Sequence, residues 1–349
     1  MKKIIFLLLF TSTIQACLSQ DTARADSVKK KAQKYKPEIS GMLQVHYLEE
    51  FNTNGDTIDD PGGFRILRAR LIAKGKINKF TSYELMVDPR APEQGGILRD
   101  AFIEFDLGKN QALRVGQQKT QFGYENSESI TKLFVVNRAE VSDNLSRGMN
   151  LRDIGLGLLG DLKLGKNIRL ENAFTFTNGS RMNVAGPWDF SNTKNGFGRT
   201  GMRYKKKDFM FRFGTSAGMG GMKDLGDDPI DPSDDFFIKF NRLGADIEID
   251  HKWFFTASEF VMGTDLVSDT LSDRIGYYTT LVGKTPWKVG PLARFDALDD
   301  EFKRVTAGAY YGLPKDKLRF HINYEFRGNI KDIPRGHDDR LYIQLQVVF

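Results

Sequence analysis

Residues 318–326 read Leu-Arg-Phe-His-Ile-Asn-Tyr-Glu-Phe, with apolar and polar side chains in alternation. Successive side chains of a β-strand point to opposite faces. Leu318, Phe320, Ile322, Tyr324 and Phe326 therefore share one face, and Arg319, His321, Asn323 and Glu325 the other. Leu341–Phe349 repeats the pattern, with Tyr342, Gln344 and Gln346 on the polar side. Asp208–Ser216 sets Phe209, Phe211 and Phe213 against Arg212. Phe64–Ile77 sets Leu67, Ala69, Leu71, Ala73 and Ile77 against Arg68, Arg70, Lys74 and Lys76.

The rhythm recurs at Ile39–Phe51, Phe80–Asp88, Asp100–Leu107, Leu113–Thr120, Ile168–Phe176, Leu243–Ile249, Trp253–Val261, Ile275–Gly283, Lys288–Phe295 and Arg304–Tyr311. Weaker runs at Asp153–Gly160 and Arg199–Lys205 bring the total to about sixteen strands, each near the roughly ten residues that cross a bilayer. Some connections are tight, as at Gly108-Lys109-Asn110 and Lys315-Asp316. Others are long and polar, as at Gly123–Arg152, Asn178–Asn195 and Gly218–Asp235. Short turns at one end and long loops at the other are the build of outer-membrane barrels.

A soluble sandwich also alternates, but its inner faces must fill a packed core. Here the polar face carries long charged side chains in strand after strand, which suits a water-filled lumen, with the apolar face against lipid. Backbone groups in lipid must pair internally, so such a sheet has to close. The expected fold is an all-β, transmembrane antiparallel barrel spanning 38–349, with short periplasmic turns and long external loops. Tyr47, Phe51, Trp253, Tyr277, Tyr278, Trp287, Tyr310 and Tyr311 are expected in its aromatic girdles. A secreted soluble β-protein is the alternative.

The rest of the sequence fits that reading. Met1-Lys2-Lys3, the apolar run Ile4–Phe10 and the small residues after it form a secretory signal over 1–20, cut after Ala16 or near Ser19. Cys17 is the only cysteine, so the mature chain has no disulfide framework; lipidation of Cys17 is a second way of processing this leader. Residues 21–37 are a polar periplasmic lead-in. The net charge of +6 is modest and both signs are spread along the chain, which excludes a dedicated nucleic-acid binder.

Three patterns hint at other chemistry. Gly155, Gly157 and Gly160 spell G-x-G-x-x-G, but a turn and another strand follow, so no helix N-terminus is offered to a pyrophosphate. The glycines are expected to leave room in the wall where a loop packs close. Gly214-Thr215-Ser216-Ala217-Gly218 matches the nucleophile elbow but lacks its strand-to-helix turn, leaving no catalytic residue assigned. Asp224, Asp227, Asp228 and Asp231 could gather a Ca²⁺ ion, with a solvated external loop the commoner outcome. His46, His251, His321 and His337 share no ligand spacing, and no cofactor or resident metal is expected.

Together, FRILRARLIAKGKI (64–77), LRDAFIEFDL (98–107), LRVGQQKTQFGYE (113–125) and RDIGLGLLG (152–160) resemble the phosphate-selective porin O and P family. The resemblance implies a sixteen-stranded channel in a Gram-negative outer membrane, often a homotrimer. It also implies a loop after the fifth strand that folds inward, here Gly123–Arg152. Phe349 resembles the terminal aromatic that barrel-assembly machinery reads. The function so implied is passive diffusion of small hydrophilic solutes, leaning to anions such as phosphate. A barrel hydrolase using Ser216 and a non-conducting structural or adhesion barrel are the alternatives.

Arg68, Arg70, Lys74, Arg114, Arg169, Arg203, Arg212, Lys239, Arg242, Arg294, Arg304, Lys317 and Arg319 are expected to face the lumen. Glu84, Asp88, Asp100, Glu104, Asp106, Glu171, Asp246, Glu248, Asp296 and Glu325 accompany them. The inward loop offers Lys132, Arg138 and Arg147 against Glu125, Glu128, Glu140 and Asp143, with no dense arginine cluster visible. Arg68 and Arg70 either hold anions by their field or pair across the wall with Glu84, Asp88 or Glu104. Substituting Arg for Phe320 should be costly, and for Asn323 mild.

Overall fold

The computed structural model describes residues 36–51, 62–90, 97–146, 152–179, 194–224, 236–267, 270–299, 302–328 and 339–349. The signal, Arg147, His337 and Asp227, Asp228 and Asp231 of the acidic loop lie outside these residues. Sixteen strands form a closed antiparallel barrel in which every neighbour in sequence is a neighbour in space. The first eight are β1 (Glu38–Phe51), β2 (Gly63–Lys76), β3 (Thr81–Val87), β4 (Leu98–Gly108), β5 (Gln111–Lys119), β6 (Arg152–Lys163), β7 (Ile168–Thr177) and β8 (Asn195–Lys206). The second eight are β9 (Phe209–Asp224), β10 (Phe236–His251), β11 (Phe254–Val267), β12 (Thr270–Gly283), β13 (Val289–Leu298), β14 (Phe302–Tyr311), β15 (Leu318–Gly328) and β16 (Asp339–Val348). Each alternating run of the sequence is one of these strands. No helix among the described residues is long and apolar enough to cross a membrane.

Closure follows from the chemistry of an apolar outer face. A sheet edge in hydrocarbon would strand its N–H and C=O groups, and β1 removes that edge by pairing with β16 from Met42↔Val348 to Phe51↔Asp339. The alternation sorts as the sequence requires: in β15, Phe320 is 40% exposed on the outside and Arg319 is 0% exposed within. A bulge between Gln44 and Val45 shifts the register against β2. Phe64 and Ile66 therefore face outward together with Leu71.

The tight connections carry suitable backbone. Lys109 and Asn110 both take positive φ, 53° and 58°, in the two-residue β4–β5 turn. On the other side β9 and β10 extend far beyond the alternating runs that announce them, so Gly218–Asp224 is strand rather than loop.

Several expectations need correction. Gly155 and Gly157 make room inside the wall, but not for the long loop. A Cβ at Gly155 would lie 2.1 Å from the Phe176 carbonyl oxygen of β7, and one at Gly157 would lie 2.3 Å from Gln118 Oε1. Tyr278 and Tyr310 are not girdle residues; both are buried inside the barrel. Lys239 shares the outward parity of Leu243 and Ile247 on β10 and is exposed. Lys317 lies in the β14–β15 turn, before its strand begins.

Candidate functional site

The connection from β5 to β6 folds into the lumen, and its side chains are among the most buried in the molecule. Phe122, Ala139, Val141 and Leu145 are fully buried against Phe197, Val261, Tyr278, Leu298 and Phe302 of the wall. Gly276 on β12 is what lets Val141 approach: a Cβ there would lie 2.6 Å from it.

A loop inside a barrel must find partners for its backbone, and polar wall residues supply them. Glu259 on β11 accepts from the N–H groups of Tyr124 at 3.1 Å and Glu125 at 3.2 Å, at the start of the one-turn helix Tyr124–Ser127. Ser216 Oγ accepts from Gly123 N–H at 3.0 Å. Asn323 Oδ1 accepts from Val136 N–H at 2.8 Å, and Asp296 from Glu140 N–H at 3.0 Å. The His321 Nδ1 atom lies 2.8 Å from the Phe134 carbonyl oxygen. Ser216 thus sits in the middle of a strand holding the loop, not at an elbow.

These anchors run from β9 to β15. The loop also reaches β7, where Thr175 Oγ1 accepts from Gln121 N–H at 3.1 Å, and β1, where Met42 packs against Ile130 and Leu133. At the tight-turn end the wall of β2–β7 is more open. The side chains of Lys74 on β2, Arg114 on β5 and Arg169 on β7 are 54, 28 and 40% exposed, whereas Arg319 on β15 is fully buried. The passage is therefore open along β2–β7 at the tight-turn end, whereas Asp100, Gln118, Arg152 and Arg199, farther from the turns on β4–β8, are buried.

Charges along this passage are mostly compensated. Arg70 pairs with Asp88 at 3.1 Å, Lys74 with Glu84 at 2.9 Å and Arg114 with Glu104 at 2.7 Å. Pairing across the wall, one of the two readings left open by the spacing, holds for Arg70 and Lys74. Arg68 instead donates to Gln44 Oε1 at 2.7 Å. Arg169 meets Asp161, and Arg203 meets Glu171.

Arg212 is the hub beneath the loop. It reaches Glu171 at 2.7 Å, Glu128 at 2.8 Å and Glu248 at 3.2 Å. Lys132 joins Glu128 at 2.7 Å, its own side chain largely open to the lumen. Burial alone would raise the Glu128 pKa, but Lys132 and Arg212 outweigh it and hold this carboxyl down at about 2. Tyr124, Glu128, Arg212, Glu248 and Phe255 line a cavity of about 660 Å³, which continues to Leu313–Asp316 at the tight-turn end.

Other predicted residues are structural. Arg294 binds Glu125 at 2.6 Å, and Arg304 binds Asp296 at 2.9 Å. Arg242 is buried and lies over the Phe240 ring. Arg319 donates to the carbonyl oxygens of Thr131, Leu133 and Gly312, and Arg138 to that of Glu125.

A basic group that sequence reading missed joins Arg138. Lys119 closes β5 and donates to the Asn126 and Glu128 carbonyl oxygens at 2.9 and 2.8 Å. Arg152 opens β6 and grips Asp100 bidentately at 2.8 and 2.9 Å. Arg70, Lys119, Arg138 and Arg152 interact electrostatically across β2, β5, the loop and β6. The available signal was positional: Lys119 and Arg152 are the two ends of the loop.

The family model for phosphate-selective porin O and P matches residues 41–223. No curated protein sequence matches the chain. Solved structures share the fold at low identity. OmpF of Salmonella typhi, in complex with daunomycin, is 14% identical with TM-score 0.57, covering 90% of this chain and 98% of that one. OprB of Pseudomonas putida is 10% identical with TM-score 0.57, covering 94 and 98%. OmpT of Vibrio cholerae in its trimer form is 12% identical with TM-score 0.56, covering 90 and 99%. With the barrel, the inward loop and a family match over more than half its length, the chain belongs to the phosphate-selective porin O and P family and is an outer-membrane channel of a Gram-negative bacterium.

Proposed function

We propose that this channel passes small hydrophilic solutes by diffusion and prefers anions, phosphate among them. The observation that carries the preference is how Lys119 and Arg319 are held. Their hydrogen bonds go to neutral carbonyl oxygens around the loop rather than to carboxylates. Ion pairs cancel much of the remaining basic charge, so these two groups leave a positive field beside the inward loop. A field of that sign in a low-dielectric wall concentrates anions over roughly 8–10 Å at moderate salt. The trimer form of OmpT of Vibrio cholerae supports a homotrimer in this membrane.

Planar bilayers under a potassium chloride gradient test the reading. The zero-current potential should report anion preference, and Lys119→Gln with Arg319→Gln should move it toward cations, most at low salt. A cation-selective parent channel would overturn the preference. Absence of any conductance would instead favour a structural barrel.

A further inference from the structure

We propose that the tight-turn end of the barrel carries a lysine collar that docks anionic phospholipid headgroups of the periplasmic leaflet. Seven turns close the strands at this end, at 77–80, 109–110, 164–167, 207–208, 252–253, 284–288 and 312–317. In this class of barrel the short turns are periplasmic. Each of the seven contains lysine and none contains arginine.

Two of these lysines are already engaged, Lys284 with Asp250 and Lys288 with Asp316 at 3.1 Å. Lys79, Lys109, Lys166, Lys207, Lys252 and Lys317 make no ion pair with another described residue, and all six are exposed. The carboxylates within these turns are Asp208, beside Lys207, and Asp316, which Lys288 holds.

What selects a lipid over a solute in the pore is the company each lysine keeps. Within two residues of each stands an exposed apolar side chain: Phe80, Leu107, Leu164, Phe209, Trp253 and Leu318. Lys79 Nζ lies 4.5 Å from the Phe80 ring centroid and Lys252 Nζ 5.2 Å from that of Trp253. An ammonium beside a lipid-facing ring sits at headgroup depth, its stem along the apolar rim. A zwitterionic headgroup brings its own ammonium, which opposes the collar, whereas a net anionic phosphate is attracted without that penalty.

Two of the chain's three tryptophans, Trp253 and Trp287, belong to the collar and serve as reporters. In a Trp188→Phe background the channel is refolded into phosphatidylcholine vesicles containing brominated phosphatidylglycerol or, separately, brominated phosphatidylcholine. Folding is verified by heat-modifiable mobility. Brominated phosphatidylglycerol should quench with at least about threefold higher apparent affinity, a preference that falls at roughly 0.5 M salt. The Lys79→Gln, Lys207→Gln, Lys252→Gln triple variant should lose most of it. Equal quenching by the two lipids in the unsubstituted collar would overturn the proposal. So would a preference unchanged in the triple variant.

Discussion

Glu128 shows how one carboxylate in the loop does two jobs. It neutralises Lys132 at the edge of the passage and ties the loop to Arg212 on β9. Its folded-state pKa of about 2 lies below the ordinary 4.5, so ionised Glu128 stabilises the docked loop. That contribution is complete above about pH 4.5 and is lost as pH falls through about 2. Glu128→Gln should remove about 1–3 kcal/mol of loop docking. Arg212 keeps Glu171 and Glu248, so the barrel itself should stand. Amide exchange of residues 124–134, corrected for intrinsic rate, should rise in the variant at neutral pH and in the parent channel near pH 2. Unchanged exchange in the variant would remove Glu128 from the docking account.

At the scale of single elements, β15 separates what a strand's pattern reveals from what it hides. Phe320→Arg places a charge on the lipid face and should cost about 2–4 kcal/mol near the midplane. Asn323→Arg, which alternation alone marks as a mild change into water, should instead be damaging. Asn323 is 1% exposed and holds Val136 N–H, so a longer cation would push the loop out of its seat. Comparing urea-unfolding midpoints of the two variants checks this; a near-parental midpoint for Asn323→Arg would mean that the loop yields at no cost. The strands were legible because a period of two is a local property, written in neighbouring residues. The loop's seat was not, because Glu259, Asn323 and Asp296 lie 135, 187 and 156 residues from their partners in it. Ion pairing was hidden for the same reason. Arg70 and Asp88 meet only once β2 and β3 are in register, and Tyr278 and Tyr310 look like girdle residues until the loop fills the space beside them.

For the whole molecule the decisive event is closure, and Phe349 lies on the seam. Its backbone exchanges two hydrogen bonds with Gly41, at 2.8 and 3.1 Å, just beyond the last β1–β16 pair. Its ring occupies the space above Gly41, where a Cβ would come within 2.4 Å of it. We infer that this residue guides assembly by presenting an aromatic at the last closing position, still 59% exposed for the assembly machinery to meet. Once the seam has zipped, the ten pairs from Met42↔Val348 to Phe51↔Asp339 hold without it. Deleting Phe349 should therefore lower the amount of folded barrel in the outer membrane several-fold while leaving export into the periplasm unchanged. Channels that do assemble should keep the parental single-channel conductance, since the ten closing pairs and the docked loop are unchanged in them. Gly41→Val should reproduce the assembly defect with Phe349 present, because the added side chain displaces the ring. Full outer-membrane yield of both variants would leave Phe349 as no more than the last residue of a strand.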